Sequence, residues 1–214
     1  MSERRIRRIH PDHAAVNPMA RTHASGYCIG AAATTIDGNR GTVCALVVDP
    51  RMRTVTYVAV APPHQHHRAR LVPVAMASAE PTGDVKLAYS YERLSQLDQL
   101  EELDVIDIRA PRLYGAGFWS NSINGVEQLS VWTDRPPEGE AALRGGTPVH
   151  VGDDTVGHVE GLMTGLDDRI TAVLVASGHL WRRRTTAVPV DALTRVDSTG
   201  ITIAATWGHE QRVA

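Results

Sequence analysis

Cysteine is almost absent from this chain, which has only Cys28 and Cys44 among its 214 residues. Neither lies in a Cys-x-x-Cys pair or at another metal-ligand spacing, which argues against a disulfide scaffold and against a cysteine-based metal centre. Cys28 also has no basic neighbour in sequence that would activate it as a nucleophile. This cysteine usage is typical of a reduced, cytoplasmic protein whose thiols lie in the core.

Long apolar runs and a strong excess of charge are missing as well. No stretch has the roughly 20 apolar residues that cross a bilayer, and the charged N-terminus leads into His10–His13 rather than into the apolar core of a secretory signal. The net charge of −2 gives no overall signature of nucleic-acid binding. The sequence therefore predicts a soluble, cytoplasmic protein.

The start of the chain is locally basic. Residues 1–24 contain the arginines Arg4, Arg5, Arg7 and Arg8 and show no apolar periodicity. We predict a solvated, disordered arm for this segment. The alternative is that the four arginines contact an anionic surface.

Aromatic residues make up only 5% of the chain, whereas hydrophobic residues make up 43%. That content is enough to build a core. Most of the apolar residues are Val, Ala, Leu and Ile, and the β-branched bias favours strands.

An internal repeat organises the chain. The pattern Gly-x-Val-x-x-Leu occurs at 41–46 and again at 157–162, a shift of 116 residues. The apolar stretch at 55–61 matches 170–176 at a shift of 115, so the turn before it is one residue shorter in the second copy. Matches that keep their order across such a difference indicate a duplication.

Each copy is predicted to consist of short strands. The Gly-x-Val strand turns through polar residues into a return strand, which gives a β-hairpin. A Val-Pro-Val element follows at 72–74 and 188–190, where proline favours an edge or strand-start position because it cannot donate to a ladder. A unit of this size has too few strands to shield an open sheet, so we expect two tandem small β-barrels in an all-β fold.

The segment between the copies is predicted to hold a helix and a linker. Leu94, Leu97, Leu100 and Leu103 recur every three residues among acidic residues, which predicts a short amphipathic helix docked on the first barrel. The next residues are rich in Gly, Pro, Ser and Asn, with a strand pattern near 128–133. The predicted organisation is a basic arm at 1–24, a first barrel-like domain at 25–109, a linker at 110–145 and a second barrel-like domain at 146–214.

These elements resemble the PRC-barrel family. The resemblance rests on the two Gly-x-Val-x-x-Leu strands, their return strands and the Val-Pro-Val elements. In the second copy it also rests on Asp168–Thr171 and Gly178–Trp181, with Pro137–Glu140 ahead of them. It covers about 26–103 and 136–213 and is similar to bacterial proteins with two such barrels.

The resemblance implies small, strongly bent β-barrels that serve mostly as docking or assembly modules. Family members include the H subunit of the photosynthetic reaction centre, a ribosome-maturation factor and archaeal division partners. The resemblance supplies no catalytic residue. This chain lacks the membrane helix of the reaction-centre subunit and a separate RNA-binding domain, so neither of those roles transfers.

The segment between the return strand and the Val-Pro-Val element is rich in histidine and arginine in both copies. The candidate binding residues are His64, His66, His67, Arg68 and Arg70 in the first copy and His179, Trp181, Arg182, Arg183 and Arg184 in the second. Guanidinium groups suit phosphate or carboxylate, and an indole offers a stacking face. We therefore predict a site for an anion or an acidic partner, with solvated loops that protect the barrel edges as the alternative.

Other chemistry has less support in the sequence. His64, His66 and His67 could share a face and bind zinc, copper or nickel, but the segment offers no Cys or carboxylate as a further ligand. The pairs Asp153–Asp154 and Asp167–Asp168 fit turns better than acid–base catalysis. The phosphate-loop, Gly-x-Ser-x-Gly and His-Glu-x-x-His patterns are absent, so we predict no catalytic residue, no metal site and no cofactor.

The leading hypothesis is a non-catalytic binding or assembly protein that recognises another macromolecule. We expect a protein partner, with self-association as a further expectation. The alternative is a small-molecule or metal-binding protein that uses the His/Arg-rich segments. If those segments do not bind, the linker aromatics Phe118, Trp119 and Trp132 are the second candidate surface.

Overall fold

The computed structural model describes residues 25–62, 66–108, 127–178 and 184–205. These residues form an almost entirely β structure with two curled sheets and one short α-helix, so the predicted all-β fold with two barrel-like units is confirmed. The basic arm and the aromatics Phe118 and Trp119 lie outside the described residues. No helix in the described ranges is long and apolar enough to cross a membrane.

The first sheet contains seven strands. They are β2 (Ala32–Thr34), β3 (Arg40–Asp49), β4 (Thr54–Ala61), β5 (Arg70–Pro73), β6 (Ala77–Ala79), β7 (Val85–Leu87) and β10 (Ala141–Arg144). Their order is β5-β4-β3-β2-β7-β6, with β10 added beside β3. The β2–β7 pair is parallel and the other pairs are antiparallel.

The second sheet has the same topology. Its strands are β1 (Ser25–Cys28), β11 (Pro148–Val151), β12 (Asp154–Thr164), β13 (Ile170–Ser177), β14 (Arg184–Pro189), β15 (Leu193–Asp197) and β16 (Gly200–Ile203). Their order is β14-β13-β12-β11-β16-β15, with β1 added beside β12. The β11–β16 pair is parallel, as is β2–β7 in the first sheet.

The longest strand of each sheet is bulged at a matching place. The β3–β4 register shifts after Val43, and the β12–β13 register shifts after Val159. An extra residue on one strand bends it and increases its twist. The two sheets therefore curl in the same way.

The glycine that opens each Gly-x-Val strand is required by close packing. A Cβ atom on Gly41 would lie 2.8 Å from the carbonyl oxygen of Ala61, and one on Gly157 would lie 2.6 Å from that of Ala176. Real Cβ atoms do not approach a backbone oxygen so closely, so only glycine fits.

The two sheets exchange strands. β1 lies in the first half of the chain but pairs with β12, with Tyr27 opposite Leu162. β10 lies in the predicted linker but pairs with β3, with Leu143 opposite Leu46. Boundaries drawn along the sequence therefore do not separate the two sheets, because each one takes a strand from the other half of the chain.

Two reciprocal hydrogen bonds join the sheets at their β-hairpin turns. The amide of Val55 donates to the carbonyl of Asp168 at 3.0 Å, and the amide of Ile170 donates to the carbonyl of Arg53 at 2.8 Å. Arg53 and Asp168 both have positive φ, at 52° and 61°. Together with the exchanged strands, this reciprocity relates the two sheets by an approximate two-fold.

One apolar core is shared by both sheets and includes Leu46 and Val58 of the first and Leu162 and Val173 of the second. A smaller apolar cluster covers the other face of the first sheet, where Leu100 packs with β3 and β5 side chains. β3 and β4 of the first sheet are therefore buried on both faces along most of their length, which explains their near-continuous apolar sequences.

The predicted helix is shorter than its leucine spacing suggested. Helix α1 spans Tyr91–Ser95, with the hydroxyl of Ser90 accepting from the amide of Arg93. The helix prediction is wrong after Ser95, because the backbone that follows pairs with the edge strand β5 instead. The amide of Leu71 in β5 donates to the carbonyl of Asp98 at 2.9 Å. Residues 101–108 then form strand β8.

Strand β8 (Glu101–Ile108) pairs antiparallel with β9 (Glu127–Asp134), so a strand near 128–133 is confirmed. We call this two-stranded sheet the ribbon. The Val-Pro-Val elements lie at sheet edges as predicted, but Pro73 and Pro189 end their strands rather than start them. Short 3₁₀ helices follow at Val74–Met76 and Val190–Ala192, and another spans His66–Arg68.

Candidate functional site

The His/Arg-rich segments connect β4 to β5 and β13 to β14, so each one leads into the equivalent edge strand of its sheet. His67 and Arg68 belong to a 3₁₀ helix and are exposed, Arg70 begins β5, and the exposed Arg184 begins β14. The remaining candidates are outside the described residues: His64, His179, Trp181, Arg182, Arg183 and the side chain of His66.

His67 brings the two predicted surfaces together. Its imidazole stacks on the indole of Trp132 in the ribbon, with ring centroids 5.3 Å apart and planes 12° from parallel. Trp132 lies directly opposite Leu103 on β8. Trp132 and Leu103 remain 44% and 45% exposed. We call His67, Leu103 and Trp132 the aromatic surface.

A buried ionic network holds the base of the ribbon against the first sheet. Arg144 of β10 donates from Nε to Asp134 Oδ2 at 2.7 Å and from Nη2 to Asp134 Oδ1 at 2.6 Å. The same Nη2 also donates to Oε1 of Glu101. Glu101 and Asp134 are opposite each other at the end of the ribbon, so one guanidinium clamps both of its strands.

The Glu101 carboxylate of this network depends on Arg144 for its charge compensation, because it has little access to solvent. The Glu101 side chain is only 4% exposed, and its Oε2 is buried without a hydrogen-bond partner among the described residues. The hydrogen bond to Asp134 is the largest cause that raises the pKa of Arg144 further above its ordinary value, with both carboxylates adding to it. Arg144 is therefore a permanent cation, and it compensates the almost fully buried carboxylate of Glu101.

His67 also approaches this network. Its Nδ1 lies 3.7 Å from Oε1 of Glu101. The imidazole thus has the exposed indole of Trp132 on one side and the buried carboxylate below it. The aromatic surface therefore lies directly above the ion pairs of Arg144 with Glu101 and Asp134, which hold the ribbon in place.

Arg70 has an internal role. Its Nη1 donates to the carbonyl of Leu97 at 2.7 Å, and Arg70 also forms a β-bridge with Gln99. The guanidinium thereby ties the segment after α1 to the edge strand β5. Arg68 is exposed beside His67 and is the arginine of this segment that faces solvent.

Both cysteines lie in surroundings that disfavour the thiolate. Burial raises the pKa of Cys44, and burial together with the charge of Glu160 raises the pKa of Cys28. Both shifts disfavour the thiolate, which is the reactive form of cysteine. Within the described residues, no three His, Cys, Asp or Glu side chains are grouped as metal ligands.

The sequence did not single out Glu101, Asp134 or Arg144. Arg144 lies in the predicted linker, because the apolar run Ala141–Leu143 before it is too short to predict a strand by itself. Glu101 lies within the leucine repeat, between Leu100 and Leu103, where the helical pattern predicts an acidic face in solvent. The β8–β9 pairing sets Glu101 opposite Asp134, and the pairing of β10 with β3 brings Arg144 to them.

Comparison with family models, with curated proteins and with solved structures found no match for this chain.

Proposed function

We propose that this chain is a non-catalytic binding or assembly protein of the PRC-barrel type. In this proposal it recognises another protein through the aromatic surface formed by His67, Leu103 and Trp132, with Arg68 at its margin. The observation that carries the proposal is the exposure of Trp132 and Leu103, which are cross-strand partners that leave nearly half of their side-chain surface in water.

The chemistry of the surface suits a protein partner. Tryptophan and arginine are the residues most enriched among those that dominate binding energy at protein interfaces. An indole buries a large apolar area while its N–H keeps a polar contact. The stack with His67 fixes the orientation of the indole, which reduces the conformational entropy lost when a partner binds.

The rigidity below the surface supports the same function. The bidentate contact of Arg144 with Asp134 and its bond to Glu101 hold the ribbon on the first sheet. Side chains on a preorganised scaffold lose less freedom on binding than those on a loose loop. A network that serves only to stabilise the fold would not require two large apolar side chains to stay exposed above it.

The test is capture of partners from a lysate, followed by affinity measurement with the partner that is recovered. We expect Trp132→Ala and Leu103→Ala to weaken binding at least tenfold, as substitution of a dominant interface residue does. Leu166→Ala is the matched control, because Leu166 is 65% exposed in the β12–β13 turn, away from the ribbon.

The proposal fails if the Trp132 and Leu103 variants bind as wild type does, or if Leu166→Ala weakens binding equally. Circular dichroism and thermal unfolding of each variant establish that the fold is intact. Metal analysis of untagged protein separates this function from metal binding by the His/Arg-rich segment.

A further inference from the structure

In the first sheet, the extended segment after α1 covers the edge strand β5. The amide of Leu71 donates to the carbonyl of Asp98 at 2.9 Å, and the amide of Leu100 donates to the carbonyl of Ala69 at 3.0 Å. The side chain of Leu100 packs on the outer face of the sheet, where Ala69 is 0% and Leu71 is 7% exposed. The first copy therefore shows what kind of segment this edge binds, an extended one that places a leucine on the outer face.

The equivalent edge strand of the second sheet, β14, has no such cover among the described residues. It lies at the end of the strand order and pairs only with β13 there. The shift of 116 residues makes Thr185 and Ala187 the counterparts of Ala69 and Leu71. Both counterparts are exposed, whereas the residues of the first sheet are buried.

The backbone of β14 is arranged like that of β5. Thr186 lies opposite Val175 of β13, as Arg70 lies opposite Val60 of β4. Because backbone groups alternate in direction along an antiparallel strand, the two residues that flank Thr186 turn their amide and carbonyl groups away from β13. A segment that binds in the manner of the first sheet would meet the same donors and acceptors.

The outer face beside this edge is suited to an apolar side chain. Leu174 and Ala176 of β13 are the counterparts of Ala59 and Ala61, which belong to the cluster that Leu100 joins in the first sheet. Leu174 is only partly buried. A leucine placed here would bury apolar surface that remains exposed in the chain alone.

The edge also selects charge. Relative to the shift, β14 begins two residues earlier than β5, at the exposed Arg184, and Arg182 and Arg183 precede it in sequence. In the register of the first sheet, the residue that follows the leucine would lie opposite Arg184. Side chains alternate between faces along a strand, so this residue would point away from Glu160, which accepts from the Thr185 hydroxyl. An acidic residue would be stabilised there, because opposite charges across a strand pair attract.

We infer that the edge of β14 binds an extended acidic segment of another protein, which adds to the second sheet as an antiparallel strand. Its leucine packs on the outer face, and the acidic residue that follows pairs with Arg184. In strand addition, main-chain hydrogen bonds supply affinity and alternate side chains supply specificity. This site lies on the second sheet and does not rest on the function proposed for the aromatic surface.

The probe is a peptide with blocked ends and the sequence of residues 96–102, Gln-Leu-Asp-Gln-Leu-Glu-Glu. We expect it to shift the amide resonances of Thr185 and Ala187 saturably when it is titrated into the isotope-labelled full chain. The resonance of Leu71 should not shift, because Asp98 already accepts its hydrogen bond. Leu100→Ala in the peptide should weaken binding about tenfold, because the apolar contact is lost.

Two variants of the chain test the backbone and the charge separately. Ala187→Pro removes an outward N–H but no donor of the β13–β14 ladder, so we expect peptide binding to be lost. Arg184→Glu should raise the dissociation constant about fivefold, and a peptide with lysine at both glutamate positions should bind that variant better than the acidic peptide does. Arg51→Glu is the matched control, because it makes the same charge change at an exposed arginine in the β3–β4 turn.

The inference is overturned if the peptide causes no saturable shift at Ala187, if Ala187→Pro binds it as wild type does, or if Arg184→Glu and Arg51→Glu weaken binding equally. Slow amide exchange of Ala187 in the free chain would also overturn it, because the chain itself or a second copy would then cover the edge. Trp132→Ala should leave peptide binding unchanged, which separates this site from the aromatic surface. Circular dichroism of each variant establishes that the fold is intact.

Discussion

We predict that Arg144→Ala lowers the free energy of unfolding by a calculable amount. Arg144→Ala removes the only cation that bonds both Glu101 and Asp134 among the described residues. Glu101 is 4% exposed, so its carboxylate cannot recover the lost interaction from water. Asp134 is also partly buried, with a side chain that is 23% exposed. The substitution therefore leaves one buried and one half-buried carboxylate close together without a counter-charge.

The expected loss follows from the cost of an uncompensated buried charge. Removing one partner of a buried ion pair costs about 3–5 kcal/mol. The Arg144 side chain is 32% exposed, so water reaches part of the network, and we expect the lower end, about 3 kcal/mol. For a chain of this length each kcal/mol lowers Tm by about 2–4 °C, which gives a decrease of roughly 6–12 °C.

The assay is urea and thermal unfolding of four proteins: wild type, Arg144→Ala, Glu101→Gln and the double variant. If the stability lost in Arg144→Ala comes from the uncompensated Glu101 carboxylate, the double variant should recover about half of that loss. The effects of Arg144→Ala and Glu101→Gln on the free energy of unfolding should then be non-additive. Arg135→Ala is the matched control. Arg135 pairs with Glu102 and Asp104 at 2.7 Å each, but on the exposed face of the ribbon, so its removal should barely change Tm.

Two results would refute this reasoning. The first is an Arg144→Ala variant that is no less stable than Arg135→Ala, which would mean that the buried network contributes nothing beyond a surface pair. The second is a double variant that is less stable than Arg144→Ala alone. In that case the loss would come from packing of the arginine side chain and not from its charge.

Two further predictions concern pH and the second His/Arg-rich segment. Burial raises the pKa of Glu140, whose Oε2 accepts a hydrogen bond from Thr56 at 2.8 Å. The folded chain therefore binds more protons than the unfolded chain in the window between the two pKa values, and stability falls as pH rises through it. Glu140→Gln should remove that decline in urea titrations from pH 4 to 8, and an unchanged pH profile would contradict the assignment. Replacing Arg182, Arg183 and Arg184 together by Ala should weaken partner binding and its salt dependence, and should leave Tm within error because a surface charge such as that of the exposed Arg184 contributes little to stability. Unchanged affinity would show that this segment is only a solvated edge.

The sequence was sufficient to predict the hairpins of both sheets. Val55–Ala61 and Ile170–Ser177 are apolar runs bounded by polar turns, and each forms the predicted return strand. The glycines at 41 and 157 mark real close approaches of backbone. These features are local, so they are encoded in short stretches of sequence.

The errors came from contacts between distant residues. Leucines at a spacing of three fit one face of a helix, but the backbone after Ser95 forms hydrogen bonds with the edge of β5 instead. Ala141–Arg144 is too short to be recognised as a strand without its partner β3. Tertiary hydrogen bonding overrode local preference in both cases.

The exchanged strands explain why the candidate site lies on the first sheet. Equivalent positions of the two sheets carry different side chains. In the first sheet, Cys44 of β3 lies beside Arg144 of β10. In the second sheet, the equivalent of Cys44 is Glu160 of β12, which lies beside Cys28 of β1. In the first sheet, the exchanged strand therefore delivers a cation to the place where Glu101 is buried.

The equivalent strand of the second sheet delivers a neutral thiol, and there the carboxylate of Glu160 bonds to the hydroxyl of Thr185. His67 and Glu101 come from the first half of the chain, while Arg144 comes from the second. The fixed base of the aromatic surface thus requires both halves. The strand exchange both closes the shared core and completes the site, so a chain that contained only one half would lack the ion pair on which the surface rests.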